Sequence, residues 1–322
     1  MTDRLGYRIV GPCTGERRLV NWLAAFAGYA TLDVRIDFNH EGYLSAFTFG
    51  LDFRAYLDAN RSTKGFDGPC GAEFIWFDID RTDLELARRD AARLALRLVE
   101  RFALVDDGLL IFFSGSKGFH IGLPTLIWGP LPSLTFNRVT RQFAEGLAAR
   151  ANVAIDSGVY DKVRAFRAPN SRHQKTGLHK RALTLDELVG LSAERIQRLA
   201  TTPQSFDLPT PTVGNRQADA DWVAASATVE DEAAAVSERR TIGGPAKLNR
   251  ATLDFIRIGA TPGDRHRALF SAAANLAEFG CPADLAQQLL TEAGLDSGLS
   301  PSETRRQIEC GLSHHNKGTS SI

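Results

Sequence analysis

The run "EFIWFDID", Glu73 to Asp80, is apolar and aromatic until it closes on two aspartates one residue apart. In a β-strand, side chains at i and i+2 share a face, so Asp78 and Asp80 stand side by side at the edge of an apolar core. Like charges held that close are costly unless something positive sits between them. A divalent cation meets the need. Mg²⁺ or Mn²⁺ prefers hard oxygen ligands, and two such ions can stabilise the attacking and leaving oxygens of a phosphoryl transfer together. A second pair, Asp219 and Asp221 in "ADAD", lies in an alanine-rich stretch where solvated acids are expected.

Two further segments carry matching chemistry. "SGSKGFH", Ser114 to His120, lies between the apolar runs "LLIFF" and "FHIGL". Its glycines let the backbone approach a ligand closely and turn N–H groups toward phosphate oxygens. Ser114 offers a hydroxyl, Lys117 a point charge and His120 a contact for phosphate or sugar. The spacing is not that of a Walker A loop, and a glycine-rich hairpin with a surface lysine is the plain alternative. The third segment begins "VAIDSGVYDKVRAFRAPNSRHQKTGLHKRAL". Asp156 ends a short apolar stretch much as Asp78 does, with Asp161 a nearby rival. Between Lys162 and Arg181 come Arg164, Arg167, Arg172, Lys175 and Lys180, with no acid in the interval. In a chain of zero formal net charge, that concentration marks either a polyanion-facing surface or a solvated loop.

The elements that position these groups follow from periodicity. "ERRLVNWLAAFAGYA" reads as a helix and "TLDVRIDF" as a half-buried strand. After "EFIWFDID", the stretch "RTDLELARRDAARLALRLVERF" opens on Thr82-x-x-Glu85, a capping-box pattern, and continues as an amphipathic helix. "GLLIFFSGSKGFHIGLP" reads as strand, turn, strand, and "TFNRVTRQFAEGLAARAN" as a helix leading into a strand "VAID". From there the expected division is a catalytic domain over 1–190, a loosely packed connector over 191–245, and a helical domain over 246–322. The last is built from "NRATLDFIRIG", "DRHRALFSAAANLAEFG", "PADLAQQLLTEAG" and "SPSETRRQIECGLSHHN", short capped helices by their Pro, Asp, Ser and Gly boundaries.

Composition narrows the class. With 322 residues, 43% of them hydrophobic and 24% charged, the chain accommodates two domains with their own cores. The opening residues lack the apolar region of a signal peptide, and no run of about 18 apolar residues occurs. A cytoplasmic location with no membrane partner is therefore expected. Cys13, Cys70, Cys281 and Cys310 are far apart and form no C-x-x-C, so neither structural zinc nor a disulfide framework is expected.

Together, "FDID", "SGSKGFH", "AID" and "RAPNSRHQKTG" resemble the archaeo-eukaryotic primase superfamily. That family shows DhD (h apolar), S-G-x-x-G-x-H, hD, then a basic residue, P-x-S-x-H and K-T-G, in this order. The likeness covers roughly residues 70 to 185. It implies an α+β fold: a mixed, RRM-like sheet packed with helices as the catalytic core, with a small all-α domain after it. It implies a DNA primase acting by two-metal nucleotidyl transfer, with Asp78, Asp80 and Asp156 as catalytic carboxylates binding Mg²⁺ or Mn²⁺. Ser114, Lys117, His120, Arg167 and His173 would hold the incoming nucleotide, with Ser171 and Lys175 as further candidates. Arg164 and Arg172, and in the C-terminal part Arg265, Arg267, Arg305 and Arg306, would face DNA. The partners implied are a single-stranded DNA template and NTPs or dNTPs. With no helicase P-loop in the chain, a replicative helicase or initiator would act in trans. A gap-filling or end-joining polymerase on the same core, or a non-catalytic initiator that binds DNA, are the alternatives.

Overall fold

The computed structural model describes residues 4–105, 108–210, 213–241, 248–261 and 263–316. The fold is α+β. The chain divides into two compact units, Met1–Ala233 and Ala234–Ile322.

The first unit opens with β1 (Leu5–Val10) and β2 (Arg18–Asn21), followed by α1 (Trp22–Ala30). Next come β3 (Gly42–Ser45), β4 (Thr48–Phe49), α2 (Leu51–Asn60), β5 (Cys70–Gly71), β6 (Phe74–Asp80) and α3 (Leu84–Phe102). β7 (Leu110–Phe113), β8 (Gly118–Pro124), α4 (Phe136–Arg150), β9 (Ala165–Arg167) and β10 (Arg181–Leu183) complete the strands, and α5 (Leu185–Gly190), α6 (Ala193–Leu199) and α7 (Arg216–Thr241) follow. The strands form two sheets, one in the order β5-β4-β1-β3-β9 with β2 also on β1, the other β10-β7-β8-β6. Every pairing is antiparallel. Among the described residues, one aromatic-rich core lies between and around them. Trp76 of the second sheet meets Phe166 of the first at 5.2 Å between ring centres.

Several local expectations differ from what the chain does. The segment from Glu16 is not one helix, because Arg18–Asn21 join the β1 ladder. Asn21 then caps α1 by accepting from Ala24 N at 3.0 Å. "TLDVRIDF" forms turns rather than a strand: Leu32 sits at φ 56, and the carboxylates of Asp33 and Asp37 accept from Arg35 N and Asn39 N. Short acids that capture the backbone two residues on fold turns and override apolar alternation. The cap of α3 is Asp83, which accepts from Glu85 N and Leu86 N, while Glu85 binds Arg88 instead of closing a box on Thr82. "VAID" joins no strand ladder, although Asp156 N donates to Asp78 O at 2.8 Å.

The largest correction concerns 191–245. Its middle is the 26-residue helix α7, and the division between the units falls within that helix. The boundary expected at 245/246 lies outside the described residues. Ala218, Trp222, Ala225 and Val229, spaced four, three and four apart, form a stripe packed into the first core. Trp222 lies 5.0 Å from Phe136 and 5.6 Å from Phe143. Asp221 of "ADAD" is no solvated acid: Arg101 grips both its oxygens at 2.6 Å. Burial pushes its carboxyl up, but the two Arg101 hydrogen bonds hold it below the usual carboxylate range. Trp222→Ala is expected to lower the stability of the first unit by about 2–3 kcal/mol, a half-buried tryptophan's share of a core truncation. Urea denaturation reads it, and an unchanged midpoint would contradict the docking.

The second unit contains α8 (Arg250–Ile258), α9 (Arg265–Glu278), α10 (Ala283–Asp296) and α11 (Pro301–Asn316). Phe255, Leu269, Leu276, Leu290 and Ile308 lead its small core. Gly311 lets α11 approach α9, since a Cβ there would lie 2.6 Å from Ala273 Cβ. No helix among the described residues is long and apolar enough to cross a membrane.

Candidate active site

The site grows from the alternation of β6. Phe77 and Ile79 are fully buried on the face covered by α3, so Trp76, Asp78 and Asp80 share the other. β8 runs antiparallel beside it and sets Asp78 opposite His120 and Asp80 opposite Gly118. His120 Nε2 stands 3.4 Å from Asp78 Oδ1, outside hydrogen-bonding geometry, so Oδ1 is buried without a hydrogen-bond partner. Lys117 Nζ lies 3.0 Å from Asp80 Oδ2. The second glycine of "SGSKG" has a definite reason. A Cβ on Gly118 would come within 2.1 Å of Asp80 Oδ1 and 2.4 Å of Ile79 O. The carboxylate can rotate away, but the carbonyl belongs to the ladder. Gly118→Ala is therefore expected to cost about 1–3 kcal/mol by overpacking, read by urea denaturation against the wild-type chain.

Asp156 lies in the segment that follows α4, at the head of a 3-10 turn. Its N–H bond to Asp78 O places it beside the pair. That turn, Ser157–Tyr160, fixes it: Asp156 Oδ1 accepts from Gly158 N at 2.8 Å, and Tyr160 O–H donates to Trp76 O at 2.8 Å. Arg81 holds the approach by donating to Ala154 O. The three acids share one field. Burial, then the charges of Asp80 and Asp156, push the Asp78 carboxyl up to about 7, against a smaller pull from Lys180 and Arg164. Among the described residues, no three His, Cys, Asp or Glu close into a metal cage. Asp80 is turned onto Lys117, and Asp156 onto Gly158 N. The donor set nonetheless fits a hard divalent cation: three carboxylates, one with a buried unpartnered oxygen, and no sulfur.

The cationic half is assembled by β9 and the loop after it. The Ser114–Gly118 turn is braced by Ser114 Oγ, which accepts from Ser116 N and Gly118 N, with Gly115 at φ 85. Thr176 O–H donates to Gly115 O at 2.5 Å, and a Cβ on Gly115 would lie 3.4 Å from His173 Cβ. "SGSKGFH" and "SRHQKTG" are thus in contact, 50-odd residues apart in sequence. Arg167 donates to Glu41 Oε1 at 3.1 Å and Tyr43 Oη at 3.3 Å, and its guanidinium lies 5.1 Å from the centre of the Tyr43 ring. Its Nη1 is buried without a partner. Burial, and then the Arg167 charge, lower the His173 pKa; His120 is lowered further by burial and by Lys180 and Arg167, which keeps its imidazole neutral. A cleft of about 320 Å³ opens here, lined by Glu41, Arg172, His173 and Gly177 among others.

The basic run is less of a surface than its sequence implies. Lys162 Nζ donates to the carbonyls of Asp67, Gly68 and Leu134. Arg181 donates to Leu199 O, and Lys180 is fully buried. Arg164, Arg172 and Lys175 remain exposed, with Arg164 within electrostatic reach of Asp78. Ser171 is buried, and its hydroxyl is engaged with Ala168 O at 2.7 Å, so it shapes the loop rather than facing a ligand. In the second unit, Arg265 donates to Gly298 O and Arg267 pairs with Asp264, while Arg305 and Arg306 are exposed. Sequence reasoning missed Glu41 and Tyr43, which lie in a stretch with no motif, and the buried position of Lys180.

No protein-family model matches the chain, and no curated protein does. Among solved structures, the chain is similar to the polymerase domain from Mycobacterium tuberculosis Ligase D in complex with DNA. That likeness covers 60% of this chain and 69% of that one, at 17% identity and a TM-score of 0.34. At that level it carries no weight for the chemistry, which rests on the side chains themselves.

Proposed function

We propose that the first unit is a template-directed nucleotidyltransferase, and that it starts strands, as a DNA primase does. The carrying observation is the buried, unpartnered oxygen of Asp78 beside Asp80 and Asp156, with Lys117 and His173 on touching loops and Arg167 at the end of β9. Carboxylates beside phosphate-binding cations have no purpose in a module that only binds DNA. Asp78, Asp80 and Asp156 would hold Mg²⁺ or Mn²⁺, which when bound supplies positive charge to the attacking and leaving oxygens.

The remaining roles belong to the chain. Lys117 exchanges Asp80 for a phosphate, and the glycine turn offers its N–H groups to the same group. Arg167 and His173 grip the triphosphate from the opposite side. Neutral His120 lines the floor against Asp78, where a charged imidazole would repel the cations. Arg164 and Arg172 face the polynucleotide, and exposed Lys175 is a further candidate for the nucleotide's phosphates.

The test is synthesis on single-stranded circular DNA without primer, with NTPs or dNTPs and with either metal. New strands from unprimed template are expected. Extension only of an added primer would replace priming with gap filling. Strongly salt-dependent DNA binding with no synthesis on either template would overturn the enzymatic reading.

A further inference from the structure

Lys180 is 1% exposed, an unusual place for an amine. Its Nζ lies 5.0 Å and 4.8 Å from the ring centres of Trp76 and Phe112 in one sheet, and 4.3 Å from that of Phe166 in the other. The amine donates a 2.8 Å hydrogen bond to Arg167 O. Methionine would fill such an aromatic slot without the cost of burying an amine. What methionine cannot do is hold that carbonyl.

The carbonyl belongs to the strand that carries Arg167. The ring beneath Nζ, Trp76, shares its strand face with Asp78, two residues on. One side chain thus ties the strand bearing the acids to the strand bearing the guanidinium.

We propose that Lys180 is a positioning residue: by holding the Arg167 carbonyl from a slot walled by Trp76, Phe112 and Phe166, it fixes the Arg167 guanidinium relative to the carboxylates and sets the grip on the nucleotide's triphosphate. This rests on the reading of Arg167 given under the proposed function. An ammonium and a neutral amine both donate, so the role is independent of the protonation state.

The experiment uses the full chain with Lys180→Met, Lys180→Gln, Arg167→Ala, and Lys180→Met with Arg167→Ala. Two readouts are taken: the thermal shift produced by Mn²⁺ alone and by Mn²⁺ with a non-hydrolysable dATP analogue, and steady-state KM and kcat for extension. Lys180→Met is expected to keep the Mn²⁺ shift and to weaken nucleotide binding and raise KM about tenfold, the effect of one buried hydrogen bond. Its kcat stays within about threefold of wild type. Lys180→Gln, which restores a donor, recovers part of the loss. The double variant binds no more weakly than Arg167→Ala alone, because both changes remove one grip. Wild-type KM in Lys180→Met, additive losses in the double variant, or collapse of the fold in Lys180→Met and Lys180→Gln alike would each overturn the proposal. If the wild-type chain binds the analogue but makes no product, the polymerase reading fails while the binding data still decide the role of Lys180.

Discussion

Asp78→Asn is expected to stabilise the protein and to abolish synthesis. Burial, and then the charges of Asp80 and Asp156, push the Asp78 carboxyl up to about 7 from an ordinary value of 3.8. Between those values the folded chain binds a proton that the unfolded chain does not. The contribution of this carboxyl to stability is therefore full below about pH 4 and is lost as pH rises through about 7. Asparagine carries no such liability. In metal-free buffer at pH 8, the variant should be more stable by on the order of 3 kcal/mol, and melt roughly 6–10 °C higher. That advantage should fade toward pH 4. Synthesis should fall by about a thousandfold or more, the scale set by losing a preorganised charge at a reacting centre. Equal melting temperatures at pH 8, or retained synthesis, would count against the burial and the role respectively.

Asp156→Ala is expected to remove synthesis to a similar extent, about a thousandfold, whereas Asp161→Ala should leave rates within about twofold. The two acids are five residues apart and were rivals on sequence grounds. The structure separates them. Asp156 N–H is bonded to Asp78 O, and the Asp156 charge reaches Asp78, while Asp161 is exposed at the far end of the 3-10 turn. Because Asp156 also accepts from Gly158 N, its loss should cost about 1 kcal/mol of stability. Primer extension and a denaturant titration on both variants separate the two effects. Equal loss in Asp161→Ala would shift the third carboxylate to that residue.

Most of this arrangement was legible because strand alternation and glycine turns are local signals. "EFIWFDID" and "LLIFFSGSKGFHIGL" became the paired strands expected of them, and the register of β6 against β8 set His120 opposite Asp78. What was not legible depends on long-range partners. Lys162, Lys180 and Arg181 read as surface cations, because sequence cannot tell that carbonyls elsewhere in the fold await them. The alanine-rich stretch read as a connector because its apolar face consists of small residues. Ala218, Ala225 and Val229 give little contrast, and Trp222 is the one strong signal that the helix docks. At Asp33 and Asp37, side-chain capture of the backbone outweighed a convincing two-residue period. Glu41 and Tyr43 had no motif to mark them and are recognised only through Arg167.

The central claim is that three carboxylates, two on β6 and one at the head of the 3-10 turn after α4, converge to hold divalent cations. Mn²⁺ titration followed by electron paramagnetic resonance addresses it without reference to turnover. The wild-type chain should bind Mn²⁺, with affinity falling at least about tenfold in Asp78→Asn and in Asp156→Ala. Mn²⁺ binding that is unchanged in both variants would contradict the account.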